Sequence, residues 1–320
     1  MNVAVTGCAG YIGSILSKML TERNYNVYGC DWSVNNSIDF IKSYSNVSFD
    51  DDEYIENIIR NKVKVIFHLA ATSLVGPSFT NPLEYYDNNT GRTAVFLNKL
   101  ISAGWFGHVV FASTAAVYGG FPRNGNSFNE YSETAPLNHY GQSKLFCEQI
   151  INSAQVNEIT CTSFRFFNVV GSYKGLGEEY DDTHLFSKLC YSAIANQPFY
   201  LYGTDYPTGD GTCIRDYVHV VDVCEAQILA ATKLNTVSNI YNLGTSKGTS
   251  VYQIINAFKE YTGKNVNVVL SEKRKGDPPS LIADPRKFIC YADFKYNHST
   301  LREMIMSTWD YYKERGFHGV

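Results

Sequence analysis

The chain reads Met1-Asn2-Val3-Ala4-Val5-Thr6-Gly7-Cys8-Ala9-Gly10-Tyr11-Ile12-Gly13 at its start, and this stretch decides the fold. An apolar run over residues 2–6 is typical of a buried strand, and apolar residues then recur at helical spacing over residues 15–20. The glycines between these elements let the backbone turn tightly, approach a pyrophosphate and pack the helix against the strand. The helix start also offers backbone N–H groups to phosphate. We predict a dinucleotide site here, formed by Gly7, Gly10, Tyr11, Ile12 and Gly13.

Acidic residues after the second predicted strand indicate which dinucleotide is bound. That strand, over residues 25–30, ends at Asp31, whose carboxylate can accept hydrogen bonds from ribose hydroxyls and would repel a 2′-phosphate. NAD is therefore favoured over NADP, with a surface acid in a loop as the alternative. Further along, Asp50 and Asp51 join the predicted cofactor set. Asp50 is better placed to meet the adenine amino group, and the neighbouring acids also suit the start of a helix.

Strands and helices then alternate along the chain. Apolar runs predict strands over residues 63–71, 108–112 and 161–167, with a long helix from Pro82 through Leu100 between the first two. Five such alternations predict an α/β fold with a Rossmann-like, doubly wound parallel sheet. The regular alternation of strands and helices ends beyond Gly171. We therefore expect an NAD-binding Rossmann domain over residues 1–171 and a smaller C-terminal substrate-binding lobe over residues 172–320, interleaved with the last sheet strands.

Composition narrows the classes of partner. The 320 residues carry a formal charge of −4 and no dense basic run, so a nucleic-acid partner is not expected. Neither a signal-like start nor a run of 18 apolar residues occurs, so we expect no membrane partner and a cytoplasmic protein. The eight cysteines form no CxxC pair and are expected to be buried free thiols, and no metal site is predicted. His68, inside an apolar strand, is expected to be a core histidine.

The segment Tyr140-Gly141-Gln142-Ser143-Lys144 is predicted to open a helix, which would place a phenol and an ammonium on one face. A positive charge about 6 Å away, at an effective dielectric constant of about 20, lowers a tyrosine pKa by roughly two units. A second cation would bring it close to ~7, where a phenolate can accept a proton and a phenol can return it. Taken alone the pattern is weak, because a surface tyrosine and a solvated lysine also fit it.

Two further groups point to the same crevice. Ser113 and Thr114 follow the fourth strand, and hydroxyls at the carboxyl end of a parallel strand face the place where such sheets bind ligands. A structural turn is the alternative role for them. In the second part of the chain, Arg215 and Arg274 are candidate anion ligands because a guanidinium matches the geometry of phosphate.

Several stretches distributed along nearly the whole chain carry a family resemblance. They are Gly10-Tyr11-Ile12-Gly13-Ser14, Pro82-Leu83-Glu84-Tyr85-Tyr86-Asp87-Asn88-Asn89, Phe166-Phe167-Asn168, Tyr202-Gly203-Thr204-Asp205-Tyr206-Pro207-Thr208-Gly209-Asp210-Gly211-Thr212 and Arg215-Asp216-Tyr217-Val218-His219. Together with the glycine turn, the hydroxyl after the fourth strand and the Tyr-x-x-x-Lys pattern, they make the chain resemble the extended short-chain dehydrogenase/reductases. Within these it resembles the UDP-glucose (galactose) 4-epimerases.

The resemblance implies an isomerase that uses NAD and a UDP-sugar. Tyr140 would be the base at the sugar 4-hydroxyl, Thr114 would hydrogen-bond the same oxygen, and Lys144 would hold the nicotinamide ribose. The C4 hydride would pass to NAD, the 4-keto sugar would turn in the site, and the hydride would return to the other face. The oxidised nicotinamide would then be the second cation near Tyr140.

The remaining site residues follow from the resemblance alone. The cofactor set would gain Leu69, Ala70, Ala71, Asn88, Ser113 and Phe167. The substrate set would be Thr114, Asn168, His184, Leu185, Tyr200, Tyr202, Arg215, Arg274, Asp277 and Leu281. A homodimer through the helices at 82–100 and 143–153 is also implied.

Three positions depart from the family pattern. Ser73 stands where many members place a cofactor-contacting lysine, and Val169 stands where a proline is frequent. Leu281 replaces a bulkier tyrosine that limits the group at sugar C2 in some members, which leaves open whether N-acetyl sugars also fit.

Rival functions within the same fold are also considered. A nucleotide-sugar 4,6-dehydratase usually carries an Asp-Glu pair directly after the threonine, whereas Ala115-Ala116 occupies those positions here. The sequence excludes neither a UDP-glucuronate epimerase nor a UDP-glucuronate decarboxylase. A non-catalytic NAD-binding scaffold would typically have lost the tyrosine or the lysine, and this chain keeps both.

Overall fold

The structure is a computed structural model that describes residues 1–32, 38–120, 127–180, 183–233, 239–274 and 277–316. Within these ranges the strands are β1 (Asn2–Thr6), β2 (Asn26–Cys30), β3 (Ser43–Ser45), β4 (Val65–His68), β5 (His108–Thr114), β6 (Thr160–Phe166), β7 (Asn168–Val170), β8 (Pro198–Tyr202), β9 (Ile214–His219), β10 (Asn239–Leu243), β11 (Gly248–Ser250), β12 (Asn267–Ser271) and β13 (Ser280–Leu281). The helices are α1 (Tyr11–Glu22), α2 (Asp52–Arg60), α3 (Val75–Ser78), α4 (Pro82–Tyr85), α5 (Arg92–Ser102), α6 (His139–Ser153), α7 (Leu185–Ala195), α8 (Val220–Lys233), α9 (Val251–Thr262), α10 (Arg286–Ala292) and α11 (Leu301–Arg315).

A parallel seven-stranded sheet lies at the centre of the described chain. Its strand order is β3-β2-β1-β4-β5-β6-β10, and each pair of neighbours runs parallel. The predicted doubly wound sheet is therefore confirmed. The order reverses between β1 and β4, and a ligand crevice opens outside the carboxyl ends of the strands at such a reversal.

Alternating side chains of β1 supply both cores of this sheet. Val3 and Val5 pack with Ile15 of α1 on one face, whereas Ala4 packs with Phe96 of α5 on the other. This is the period of two expected for a strand that is buried on both faces. The sheet is thus covered by helices on both sides, and only its ends are open to a ligand.

The predicted helix from Pro82 to Leu100 is interrupted. A π-helical turn, Tyr86–Gly91, lies between α4 and α5, so the segment stays helical but its spacing changes in the middle. Within the turn, the Asn89 amide bonds the backbone of Thr72 and the hydroxyl of Ser143 on α6. These bonds hold the turn against the end of β4 and against α6.

The C-terminal lobe contains smaller sheets. β9 lies between β11 and β13 and also pairs with β7, while β8 pairs with β12. However, β10 belongs to the main sheet and α8 packs on α1, although both come after residue 172. The chain therefore returns to the main sheet and its helices after residue 172. The division into two domains at residue 171 stays a prediction.

The structure also bears on membrane spanning and on the state of the cysteines. None of the helices in the described ranges has the length and apolar character that crossing a membrane requires. The eight cysteines are free thiols, and all of them are buried except Cys290, whose exposure departs from the prediction.

Candidate active site

A cavity of about 1210 Å³ lies between the carboxyl ends of the main sheet and the C-terminal lobe. The predicted cofactor residues that line it are Gly7, Gly10, Tyr11, Ile12, Gly13, Asp31, Leu69, Ala70, Ala71, Asn88, Ser113, Tyr140, Lys144 and Phe167. The predicted substrate residues that line it are Thr114, Asn168, His184, Leu185, Tyr200, Tyr202, Arg215, Arg274 and Asp277. The fold therefore brings nearly the whole predicted set to one cavity. Ser73 and Val169 line it as well.

The glycine turn is tight enough to require glycine. A Cβ atom added to Gly13 would lie 1.9 Å from the carbonyl oxygen of Gly7, which itself has a φ of +71°. The N-cap of α1, Gly10, has no side chain to satisfy the first N–H groups of the helix. These donors face a cavity, so the turn fits a bound phosphate.

Asp31 extends this wall at the end of β2. Its carboxylate accepts a hydrogen bond of 3.0 Å from the backbone N–H of Ala9, which links the strand end to the glycine turn. Trp32 follows at the cavity rim, with the guanidinium carbon of Arg92 5.7 Å from its ring centroid. An aromatic side chain beside the predicted ribose site was missed, although its position directly after Asp31 was a usable signal.

Asp50, Asp51 and Leu281 lie outside the described cavity lining. Asp50 hydrogen-bonds Ser48 and lies 3.4 Å from Arg92, and Asp51 caps α2 by accepting a bond from the N–H of Glu53. Leu281 packs in the cluster that contains Phe167, behind the cavity wall. Contacts of these three residues with NAD or with the sugar nucleotide stay predictions. In this structure their side chains contact other residues of the chain.

The Tyr140 segment opens a helix as predicted. α6 begins at His139, and the Asn138 side chain caps it by accepting a 2.8 Å bond from the N–H of Gly141. A Cβ atom on Gly141 would lie 2.5 Å from the carbonyl oxygen of Ala116. Glycine thus lets the helix approach the turn after β5, which brings Tyr140 and Thr114 to one wall.

Burial reverses the expected charge effect on this pair. It raises the pKa of Tyr140 to about 12, although a hydrogen bond with Thr114 acts to lower it. It also lowers the pKa of Lys144 to about 8, against the opposing effects of Cys147 and Glu148. We expected Lys144 to lower the tyrosine pKa well below its ordinary value. That expectation is wrong for the protein by itself, because removal from water is the dominant effect on the phenol and the hydrogen bond with Thr114 offsets only part of it.

The π-helical turn places an unpaired acceptor at the cavity. Asn88 is buried, and its amide N–H donates a 2.7 Å bond to the hydroxyl of Thr72. Its carbonyl oxygen is buried without a partner among the described residues. A buried acceptor of this kind is costly unless it is satisfied, so the site suits a ligand that carries an N–H donor, such as a carboxamide.

The other end of the cavity is basic and aromatic. Arg215 is held by the carbonyl oxygens of Ile214 and Pro278, at 2.9 and 2.8 Å, and lies 3.7 Å from Asp277. The guanidinium carbon of Arg274 lies 4.2 Å from the ring centroid of Tyr202. Two guanidinium groups on one wall suit a diphosphate.

Three charged residues of this end, Lys188, Glu178 and Glu179, were missed by the sequence reasoning. Lys188 of α7 is buried at the cavity wall, 5.3 Å from the Tyr202 ring centroid, and Glu178 lies beside His184. None of the three belongs to a motif, and only the packing of α7 and of the loop before it brings them to the cavity.

The fold and the site define a class of protein, a Rossmann-fold protein with a Tyr-x-x-x-Lys pair in its dinucleotide crevice. Residues 3–244 match the NAD dependent epimerase/dehydratase family, and the chain belongs to this family. The recognition made from sequence motifs is thereby confirmed.

Three relatives illustrate how far the similarity extends. The UDP-glucose 4-epimerase of Lacticaseibacillus casei is 34% identical over 324 residues, which cover 98% of this chain and 97% of the relative. A crystal structure of the Stenotrophomonas maltophila UDP-glucose-4-epimerase, with bound NAD and formylated UDP-arabinopyranose, superposes with a TM-score of 0.91 at 29% identity and covers 98% of both chains. The UDP-Glc/GlcNAc 4-epimerase of Campylobacter jejuni superposes with a TM-score of 0.82 at 32% identity, covering 98% of this chain and 99% of that one.

Proposed function

We propose that this chain is an NAD-dependent UDP-hexose 4-epimerase, an isomerase. The observation that carries the proposal is the single cavity that joins the glycine turn, the Tyr140–Lys144 pair with Thr114, and the arginines Arg215 and Arg274. The relatives' printed activities point to the same reaction.

Residues of this chain would hold NAD along one wall. The glycine turn would bind its pyrophosphate, Asp31 its adenosine ribose, Lys144 its nicotinamide ribose and Asn88 its carboxamide. When bound, NAD supplies a hydride acceptor and, in its oxidised form, a positive charge.

Tyr140 and Thr114 would handle the proton of the sugar 4-hydroxyl. Because the pKa of Tyr140 is about 12 in its own surroundings, the phenol keeps its proton at neutral pH unless further positive charge reaches it. Lys144, with a pKa of about 8, is largely protonated at neutral pH and contributes part of that charge. Thr114 hydrogen-bonds the phenol and also lowers its pKa, so a proton can move between these hydroxyls.

Epimerisation fits this wall better than dehydration does. Thr114 is followed by Ala115, which is buried, and by Ala116, which lies against α6. Methyl groups there can neither donate nor accept the proton that elimination across C5 and C6 requires.

A product assay tests the proposal. Purified protein is incubated with UDP-galactose and, separately, with UDP-N-acetylgalactosamine, and the products are separated by chromatography. We expect UDP-glucose from the first substrate. No conversion of either sugar would reject the proposal, and a 4-keto-6-deoxy product would assign a dehydratase. The second substrate tests the C2 group, for which Leu281 is the side chain that we would substitute first.

A homodimer is part of the proposal. The surface formed by α4, the π-helical turn, α5 and α6 exposes Leu83, Val95 and Phe146, at 78, 44 and 38%. Exposed apolar side chains on these neighbouring helices suit burial against a second copy of the same surface.

Light scattering after size-exclusion chromatography tests the dimer. We expect twice the chain mass of 36.0 kDa for the wild type. A charge on this surface, Phe146→Glu, should weaken the dimer at least about thirtyfold. Phe106→Glu is the control, because Phe106 is 53% exposed but lies outside these helices. A monomeric wild type would contradict this part of the proposal.

A cytoplasmic location is also proposed. It is supported by the free thiols, including the exposed Cys290, because reducing compartments keep cysteines in this state.

A further inference from the structure

A buried ion pair lies one helical turn beyond Lys144. Glu148 of α6 accepts hydrogen bonds from both sides of the Arg165 guanidinium, 2.9 Å from Nε to Oε1 and 2.7 Å from Nη2 to Oε2. Both side chains are only 3 to 4% exposed. Burial alone would lower the pKa of Arg165, and the bonds and charge of Glu148 more than offset this, so the guanidinium stays charged.

The pair connects α6 and β5, which carry the reacting groups, with the neighbouring strand β6. Ser113 of β5 donates a hydrogen bond to Oε1 of Glu148, and in the sheet Ser113 lies opposite Arg165 of β6. Ser113 is adjacent to Thr114, while Glu148 is four residues from Lys144 and therefore on the same helical face. One carboxylate thus joins the helix of Tyr140 to the strand end of Thr114.

The surroundings of Lys144 contain few other charges. The groups that act on it are Cys147 and Glu148 on α6, His68 on β4 and the ring of Phe111 on β5, whose centroid lies 4.6 Å from Nζ, and Tyr140 lines the same cavity one helical turn away. Cys147 and His68 are buried, and burial raises the pKa of the thiol and lowers that of the imidazole to about 3, so both are neutral at neutral pH. Glu148, which accepts both bonds of the Arg165 guanidinium, is therefore the acidic group that acts on Lys144.

The opposite charge of Arg165 limits what Glu148 can do. The Arg165 guanidinium neutralises much of the charge of the Glu148 carboxylate. Its Nη1 nitrogen is buried without a hydrogen-bond partner among the described residues, and its central carbon lies 4.8 Å from the centroid of the Tyr118 ring. The charge felt by Lys144 is therefore the difference between a near negative group and a farther positive one.

We propose that Glu148 is a positioning residue, which together with Arg165 fixes α6 on the ends of β5 and β6 and keeps Lys144 protonated at neutral pH. This inference deepens the proposed function of the same site and rests on it. It predicts that removing either member of the pair changes the charge on Lys144, and that the two removals act in opposite directions.

Nuclear magnetic resonance of protein labelled with ¹³C at the lysine ε carbon tests the proposal without a catalytic assay. The Lys144 signal is assigned by its absence in Lys144→Met, and its titration midpoint is expected near pH 8 in the wild type. Glu148→Gln keeps the shape but loses the charge, so the midpoint should fall by roughly one pH unit. Arg165→Met leaves the carboxylate less neutralised, so the midpoint should rise.

Controls separate charge from damage to the fold. Arg165→Met leaves the buried Glu148 carboxylate without its partner and risks unfolding, so Arg165→Lys serves as the second variant. In Arg165→Lys the Lys144 midpoint should shift in the same direction as in Arg165→Met, but by less. Glu56→Gln on α2, an exposed glutamate, should leave the midpoint where it is. In the epimerase assay, the alkaline limb of the rate should follow the same shifts.

Two results would overturn the proposal. One is an unchanged Lys144 midpoint in Glu148→Gln, and the other is a shift in the same direction in the glutamate and arginine variants. Because the titration needs no substrate, a failed epimerase assay with shifted midpoints would reject the proposed function and leave the positioning role standing.

Discussion

Replacing Tyr140 with phenylalanine is expected to lower the epimerisation rate by roughly 10²–10⁴-fold, the usual contribution of a positioned acid–base group. The substitution removes only the phenolic oxygen, the atom that hydrogen-bonds Thr114 at the cavity wall. The ring and its edge contact with Tyr85, at a centroid distance of 6.4 Å, are kept. The loss should therefore appear in kcat and leave the fold intact, as measured by initial rates and circular dichroism.

A matched control removes a phenol elsewhere. Tyr131 is 85% exposed and outside the cavity lining, so Tyr131→Phe should keep the wild-type rate. NAD content should be similar in both variants, which would place the defect in proton transfer and not in cofactor retention. A near-normal rate for Tyr140→Phe would mean that another group is the base.

The raised pKa of Tyr140 predicts the protonation state of its phenol at neutral pH. A pKa raised to about 12 favours the neutral phenol, so the protein without added positive charge should show no phenolate at neutral pH. Ultraviolet difference spectra of wild type against Tyr140→Phe measure this directly. The sequence predicted a tyrosine pKa lowered by the neighbouring lysine, because it shows that lysine but not the depth of burial.

The backbone pattern explains why so much of the site could be predicted. The glycines of the first turn, the helix start before Tyr140 and the strand ends at Asp31 and Thr114 are local features, and parallel sheets bring strand ends to one edge. The order of strands and helices alone therefore predicts that these residues meet at the carboxyl edge of the sheet.

Features that depend on packing could not be predicted. Ser43–Ser45 forms a strand without an apolar run, because the edge of the sheet needs only backbone bonds to β2. The π-helical turn depends on Asn89 meeting Thr72 and Ser143, which lie 17 and 54 residues away. Nothing in the sequence indicated that Asp50, a predicted adenine ligand, lies beside Ser48 and Arg92.

The cofactor-binding turn gives the second large effect. In Gly13→Ala the new methyl group would lie 1.9 Å from the Gly7 carbonyl oxygen, a backbone atom that cannot rotate away. Either α1 moves from β1 or the turn opens, and both changes displace the N–H groups proposed to hold the pyrophosphate. We expect a loss of about 3 kcal/mol in unfolding free energy, the upper part of the usual range for overpacking, and purified protein depleted of NAD.

Gly209→Ala makes the comparison decisive, because the same methyl group there meets nothing within 4 Å. Denaturant titration should separate the two variants, with Gly209→Ala close to wild type. Cofactor affinity can be followed by quenching of Trp32 at the cavity rim, since Trp105 and Trp309 are buried in the cores. If Gly13→Ala kept both wild-type stability and NAD affinity, the close approach of α1 to the Gly7 turn would not be what holds the cofactor, and the glycine turn would not be the dinucleotide site.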